Sequence, residues 1–269
     1  MSTNKELKEI VREKYSEIAL QSKEQNQSSC CGSTCGCNSK EVSILAEDYS
    51  KLQGYVADAD LGLGCGLPTE FAQIKPGDTV VDLGSGAGND VFVARSIAGD
   101  NGRVIGIDMT EAMVEKARKN AKALGFANVE FRLGDIENMP VDDNTADVVV
   151  SNCVMNLVPD KNKAFAETFR ILKHGGHFSI SDIVLKGELP DKVRNAASMY
   201  AGCVSGAQQI GEYIDTIKQA GFVNVAIQQQ RLTPIPDEIL IEYLSFDELQ
   251  AFKKSGTGIY SITVYANKQ

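Results

Sequence analysis

Tryptophan is absent from the chain, and only two histidines occur, His174 and His177. An enzyme built on histidine acid/base chemistry would have few candidates here. The opening stretch MSTNKELKEIVREKYSEIALQ is charged and helical in pattern and carries no apolar core, which argues against a secretory signal. No run approaches the ~18 apolar residues of a membrane helix. An excess of basic residues is missing too: 27 Lys+Arg against 36 Asp+Glu leave a formal charge of -9. A nucleic acid or an anionic membrane as main partner needs a basic face, so neither is expected. There is no internal repeat. The default expectation is a cytoplasmic protein whose cysteines are kept reduced, where clustered thiols point to metal or redox chemistry over structural disulfides.

Cysteine is what the chain has in quantity. Four of seven, Cys30, Cys31, Cys35 and Cys37, fall in SSCCGSTCGCNSK at 28–40. This tract lacks a second ligand pair at zinc-finger spacing. It belongs to a polar segment, 22–40, that reads as a flexible linker able to order on a ligand. Residues 5–20 before it read as a helix, with KELKEIVREK as a solvated face.

From residue 78 the pattern alternates between strand and helix. TVVDLGSG reads as a first strand, NDVFVARSIAG as a helix stopped by Gly99, and GRVIGIDM as a second strand. TEAMVEKARKNAKALGF reads as a helix with Thr110 as N-cap and Gly125 as stop. NVEFRLGD, ADVVVSNCV and HFSISDIVL supply strands three to five, with KNKAFAETFRILK as a helix before the fifth. This alternation predicts an α/β, doubly wound, mostly parallel sheet. Two later strands, about 222–230 and 259–267, complete seven as an antiparallel edge, and about 186–208 become an insertion after the fifth strand. His174 and His177 flank the Gly-Gly turn into that strand and read as turn or packing residues.

Gly84, Gly86 and Gly88 sit between the first strand and its helix, where glycine lets a ligand approach the backbone at the carboxyl end of a sheet. Asn89 occupies the position where the dinucleotide fingerprint needs Gly or Ala, which disfavours a nicotinamide or flavin. Asp108 ends the second strand, suited to ribose hydroxyls, and Asp135 follows the third, within reach of an adenine amino group. Asp82 would repel a pyrophosphate but suits a cationic ligand such as S-adenosylmethionine, which has an ammonium, a sulfonium and no phosphate.

With VVDLGSGAG, VIGIDMT, LGDIENMP and ILKHGGHFSISD, the chain from about residue 60 resembles the class I S-adenosylmethionine-dependent methyltransferases. The resemblance implies a Rossmann-like domain over 46–269, behind a helical, Cys-rich 1–45. It also implies that Asp82, Gly84, Gly86 and Gly88 line the methionine end and that Asp108 holds the ribose. Met109, Asp135 and Ile136 would surround the adenine, and Asn152 joins this cofactor-binding set.

Cys65 in LGLGCGLP, Cys153 in SNCVMNLVPD and Cys203 in YAGCVSGA are far apart in sequence, but this topology can bring them to one rim. Thiolates select soft, thiophilic centres. Zinc is one option. Trivalent arsenic is another: it binds three thiolates, keeps a lone pair, and needs no general base to attack a sulfonium methyl. GCGLP, VVSNCVMNLVPDK and the GC followed by SGA resemble the arsenite methyltransferase family. That resemblance implies Cys153 and Cys203 as arsenical ligands and Cys65 as the third, exchanging disulfides between rounds. It also implies an N-terminal redox cysteine, which spacing does not single out among the four. The expected substrate is arsenite or a thiol-bound trivalent arsenical, delivered as a glutathione or thioredoxin-dithiol adduct, with either thiol as reductant. Alternatives are a methyltransferase of a small organic acceptor and a thiol-based metalloid or zinc sensor.

Overall fold

Valine-rich runs such as Thr79–Leu83 and Ala146–Asn152 are buried almost throughout, as expected of parallel strands covered on both faces. In a computed structural model they assemble into one seven-stranded sheet. The structure describes residues 4–21, 26, 47–191, 193, 204, 206–235 and 237–269. Cys30, Cys31, Cys35, Cys37 and Cys203 lie outside the described residues, as does most of the 22–40 segment.

The strands are β1 (Thr79–Leu83), β2 (Arg103–Asp108), β3 (Val129–Leu133), β4 (Ala146–Asn152), β5 (Leu172–Lys186), β6 (Val223–Thr233) and β7 (Gly258–Asn267). Their order is β3-β2-β1-β4-β5-β7-β6. The first five run parallel, and β7 pairs antiparallel with both β5 and β6. This is the expected edge. The order reverses between β1 and β4, so a crevice opens at their carboxyl ends, where ligands bind open α/β sheets.

Alternation along the strands feeds two cores. Val80, Val104 and Val148 meet Phe92 of α3 (Asn89–Ala98) and Ala117 of α4 (Glu111–Leu124) on one face. Val81, Ile105 and Val149 meet Phe165 of α5 (Lys161–Ile171) and Tyr213 of α6 (Ile210–Gln219) on the other. Gly125 ends α4 in the left-handed conformation at φ 69°, so the stop read from the sequence is real. The helix α1 (Asn4–Ala19) packs on α4, and a short α2 (Pro68–Phe71) precedes β1.

The region between β6 and β7 departs from expectation. It holds two helices, α7 (Asp237–Leu240) and α8 (Phe246–Ser255). Ser245 and Glu248 form a reciprocal capping box at the start of α8. Leu240 and Leu249 bury against Ile183, Leu185 and Ile259 in a third cluster, which also contains Cys65, Cys153 and Val204. A second insertion therefore helps to cover the cysteines, beside the one after β5.

Candidate active site

The crevice at the β1/β4 switch is a cavity of about 1120 Å³ including its open mouth. Of the cofactor residues expected from sequence, Asp82, Gly84, Gly86, Asp108, Met109, Asp135, Ile136 and Asn152 all line it. Gly88 does not. It adopts φ 101° at the head of α3, and a Cβ there would lie 2.9 Å from the rings of Phe131 and Phe92. Close packing under the turn, rather than ligand approach, is what demands glycine at 88. Gly84, at φ 68°, is confined differently, because a Cβ would meet Val154 at 2.4 Å. The turn after Cys153 thus lies directly on the glycine turn.

Asp108 holds the glycine turn in place. Its Oδ2 accepts the Gly86 amide at 3.0 Å and its Oδ1 accepts the Thr110 amide at 2.8 Å. Thr110 heads α4 without a side-chain cap, and Asp108 instead fixes the backbone amide of Thr110 itself. Asp82 is 2 % exposed. Burial, and then the charges of Asp90 and Asp108, push its carboxyl well above the usual carboxylate range. Asp90 is pushed up to about 6 by burial, opposed by hydrogen bonds from Tyr49 and Asn152. Among the described lining residues, Lys8 is the one cationic side chain, and its ammonium is spent on Asp135 (2.5 Å) and Glu137 (2.7 Å). Ser85 Oγ and Asn89 Oδ1 are buried beside the cavity with no hydrogen-bond partner. Crowded, uncompensated carboxylates and unpaired polar atoms fit a ligand that brings a cation and hydrogen-bonding groups, as the methionine end of S-adenosylmethionine does.

The cysteines divide. Cys153 follows β4 at φ 61°, in the left-handed region uncommon for a residue with a Cβ, and faces the cavity. Cys65 sits behind it, fully buried, and the two sulfurs are bonded, with Cα atoms 5.8 Å apart across 88 residues of sequence. The convergence of these two is as expected, but the bond between them differs from the expectation of free thiols. The chain just after residue 203 approaches the same place. Val204 joins the cysteine cluster, Lys161 Nζ donates to the Gly206 carbonyl at 2.9 Å, and a Cβ at Gly206 would lie 2.0 Å from the Asn156 carbonyl oxygen. No cluster of three His, Cys, Asp or Glu suited to a metal ion occurs among the described residues.

Both histidines bond to backbone carbonyls, His177 to Ala72 at 2.6 Å and His174 to Gln269 at 2.8 Å, and neither lines the cavity. The packing reading holds for them. The solvated reading of KELKEIVREK does not hold throughout: Lys8 and Val11, with Tyr15 one turn on, form a cavity wall. Their helical spacing was the available signal. Tyr49 and Asp60, also on the wall, carried none.

Asp182 on β5 is fully buried, with its carboxylate accepting from Asn156 Nδ2 (3.0 Å), the Ile183 amide (2.9 Å) and Tyr213 Oη (3.2 Å). Burial raises it to about 7, with those bonds and the Lys161 charge opposing. Between roughly pH 4 and 7 the folded protein holds protons on Asp182 and Asp90 that the unfolded chain has released. Stability from these groups is full below that window and falls as pH rises through it, by on the order of a few kcal/mol for Asp182 alone. Glu130, lowered to about 2 chiefly by Arg132 and Arg103, acts in the opposite sense but only below about pH 4. The ligand-free protein should therefore melt at least about 5 °C lower at pH 8 than at pH 5. Asp182→Asn should make that difference measurably smaller, as read by scanning calorimetry, the remainder belonging to Asp82 and Asp90, and an equal difference in the variant would refute the assignment.

A sheet with this strand order, a glycine turn after β1 and an acidic cavity at the switch point define a class I S-adenosylmethionine-dependent methyltransferase. Residues 74–240 match the family described as "Methyltransferase domain". The arsenite methyltransferase of Halobacterium salinarum is 40 % identical over 98 % of this chain and 67 % of its own length. The human arsenite methyltransferase is 34 % identical over 72 % of this chain and 55 % of its own. Among solved structures, an arsenic(III) S-adenosylmethionine methyltransferase from Chlamydomonas reinhardtii superposes with a TM-score of 0.64 at 33 % identity, covering 76 % of this chain and 67 % of that one. The chain belongs to the arsenite methyltransferase family. It spans from about half to two thirds of the length of these relatives. No described helix is long and apolar enough to cross a membrane.

Proposed function

We propose that the protein methylates trivalent arsenic, presented as arsenite or a thiol adduct, in the service of arsenic detoxification. The observation that carries this reading is the meeting of Cys65 and Cys153 beside the acidic cofactor cavity, with the Cys153–Val154 turn seated on the glycine turn. Cys203 supplies the third thiolate; its sequence neighbour Val204 belongs to the cluster that holds Cys65 and Cys153, which supports that role.

Bound in this cavity, S-adenosylmethionine supplies an electrophilic methyl group on a sulfonium. The chain does the rest by placement. Asp82 faces the ligand's cationic end, Asp108 orders the glycine turn and meets the ribose, and Met109, Asp135 and Ile136 border the adenine. Asp135 is bridged by Lys8, so α1 closes the adenine side. The three sulfurs hold arsenic with its lone pair directed into the cavity, ~3–3.5 Å from its target in a near-attack arrangement. The As–C bond would form from that lone pair as the methyl's bond to the sulfonium sulfur breaks, its electron pair remaining on a neutral thioether, and arsenic is formally oxidised by two electrons. Two thiols that become one disulfide return those electrons, so the cycle consumes an external dithiol or two glutathione molecules. The bonded Cys65–Cys153 pair is the oxidised form of the site. It must gain two electrons before either sulfur can ligate, which suits the reducing cytoplasm.

One assay tests the reading: arsenite, radiolabelled S-adenosylmethionine and excess thiol, with arsenic species separated. Labelled methylarsenicals without any organic acceptor are expected, and turnover should stop when thiol is withheld. Serine at Cys30, Cys31, Cys35 and Cys37 together should lower multiple-turnover rates severalfold while leaving cofactor affinity unchanged. Label that appears only when an organic acceptor is added would exclude arsenic as substrate.

A further inference from the structure

Asn152 ends β4 next to Cys153, and both ends of its side-chain amide bond to the protein. Its Oδ1 accepts the Cys65 amide at 3.0 Å. Its Nδ2 donates to the Gly66 carbonyl at 2.8 Å, to Asp90 Oδ2 at 3.2 Å and to Tyr49 Oη at 2.5 Å. Two donor hydrogens already face three acceptors, so the amide nitrogen has no hydrogen left to give a cofactor. The amide grips the 64–66 loop on both sides of Cys65. A Cβ at Gly64 would lie 2.7 Å from Asn152 Nδ2, and one at Gly66 would lie 2.5 Å from Ser181 Oγ, so the flanking glycines are what permit this approach.

Other anchors complete the grip. Ser261 Oγ on β7 donates to the Cys65 carbonyl at 2.5 Å. Tyr49 Oη donates to the Gly66 carbonyl at 3.1 Å and to Asp90 at 2.9 Å. On the partner side, the Cys153 amide is fixed to the Ser181 carbonyl at 2.8 Å. The backbone N–H and C=O of Cys65 are thus both held, one from β4 and one from β7. A loop secured at this many points is one whose thiol position matters.

We infer that Asn152 is a positioning residue for the Cys65 thiol, rather than the cofactor contact that family resemblance implies, and that Ser261 assists from the opposite side. By holding Cys65 against Cys153, the pair of anchors raises the effective concentration of one thiol at the other. The equilibrium at stake balances as follows. The Cys65–Cys153 bond breaks and both sulfurs take up protons, while two glutathione thiols become one glutathione disulfide. Looser anchoring gives the dithiol form more freedom for its sulfurs to part, which makes re-formation of the protein disulfide less favourable.

The test uses the full chain in glutathione/glutathione-disulfide buffers, with free thiols alkylated and the Cys65 and Cys153 peptides quantified by mass spectrometry. In Asn152→Ala the equilibrium should shift at least about tenfold toward the dithiol, equivalent to about 30 mV. S-adenosylmethionine affinity by calorimetry should stay within about threefold of the unchanged protein. Ser261→Ala lies outside the cavity wall and should shift the pair at least about threefold with unaltered cofactor affinity, which keeps the proposal testable if Asn152→Ala does not fold. A tenfold loss of cofactor affinity in Asn152→Ala with an unmoved thiol–disulfide balance would overturn it, as would an unmoved balance in Ser261→Ala. The inference builds on the cysteine pair of the proposed arsenical site, but this measurement contains no arsenic. A failure of arsenic methylation would therefore leave its outcome intact, and the two readings fail separately.

Discussion

Serine in place of Cys153 is expected to abolish arsenic methylation, by at least about a thousandfold, corresponding to ~4 kcal/mol of lost transition-state positioning. The argument is chemical. A hydroxyl matches the size of the thiol and can occupy the same left-handed turn, whose amide bond to Ser181 is independent of the side chain. It is a hard oxygen donor, however, with little affinity for a thiophilic centre and no means of disulfide exchange. Cofactor affinity should change less than about threefold, because the substitution leaves the glycine turn, Asp82 and Asp108 in place. Cys203→Ser should reproduce the loss. Separated arsenic products and calorimetric titration of S-adenosylmethionine check the two halves. Activity within tenfold of the unchanged protein in either variant would rule out the three-thiolate site.

Asp82→Asn should weaken S-adenosylmethionine binding about a hundredfold, ~2.7 kcal/mol, the range expected when a charge-assisted hydrogen bond to an ammonium becomes neutral. The same change should stabilise the ligand-free protein. Burial first, and then repulsion by Asp90 and Asp108, pushes the Asp82 carboxyl upward, and a neutral amide has no charged form to be penalised there. The two effects oppose each other: melting temperature rises while cofactor affinity falls. Simple misfolding would lower both. A variant with unaltered affinity would remove Asp82 from the binding site.

Most of the sheet was legible because buried parallel strands are short apolar runs and their helices carry a 3.6-residue period. Val80 and Val81 show why so little else was needed: adjacent residues feed opposite cores, so the run itself marks a central strand. The helix α8 was overlooked although Ser245 and Glu248 spell its capping box, because its apolar face is short and ends in Lys253 and Lys254. That Gly88 packs on Phe131 and Phe92 was not legible, because a glycine needed for ligand approach and one needed for close packing look the same in a string of letters. Lys8 was read as solvated because helical spacing shows which residues share a face but not what that face meets.

By itself, the sequence determined the strand–helix order, the glycine turn with Asp82 and Asp108 at strand ends, and a supply of thiols suited to a soft centre. These follow from local periodicity and from residue chemistry, both of which survive without coordinates. Tertiary structure decided which thiols meet, that Asn152 spends its amide on the loop of Cys65, and that Lys8 closes the cavity onto Asp135. The physical reason is chain separation. Cys65 and Cys153 stand 88 residues apart, and Lys8 and Asp135 stand 127 apart. Contacts at that range are set by how the sheet orders its strands and by how the loops close over its rim, neither of which any local pattern contains.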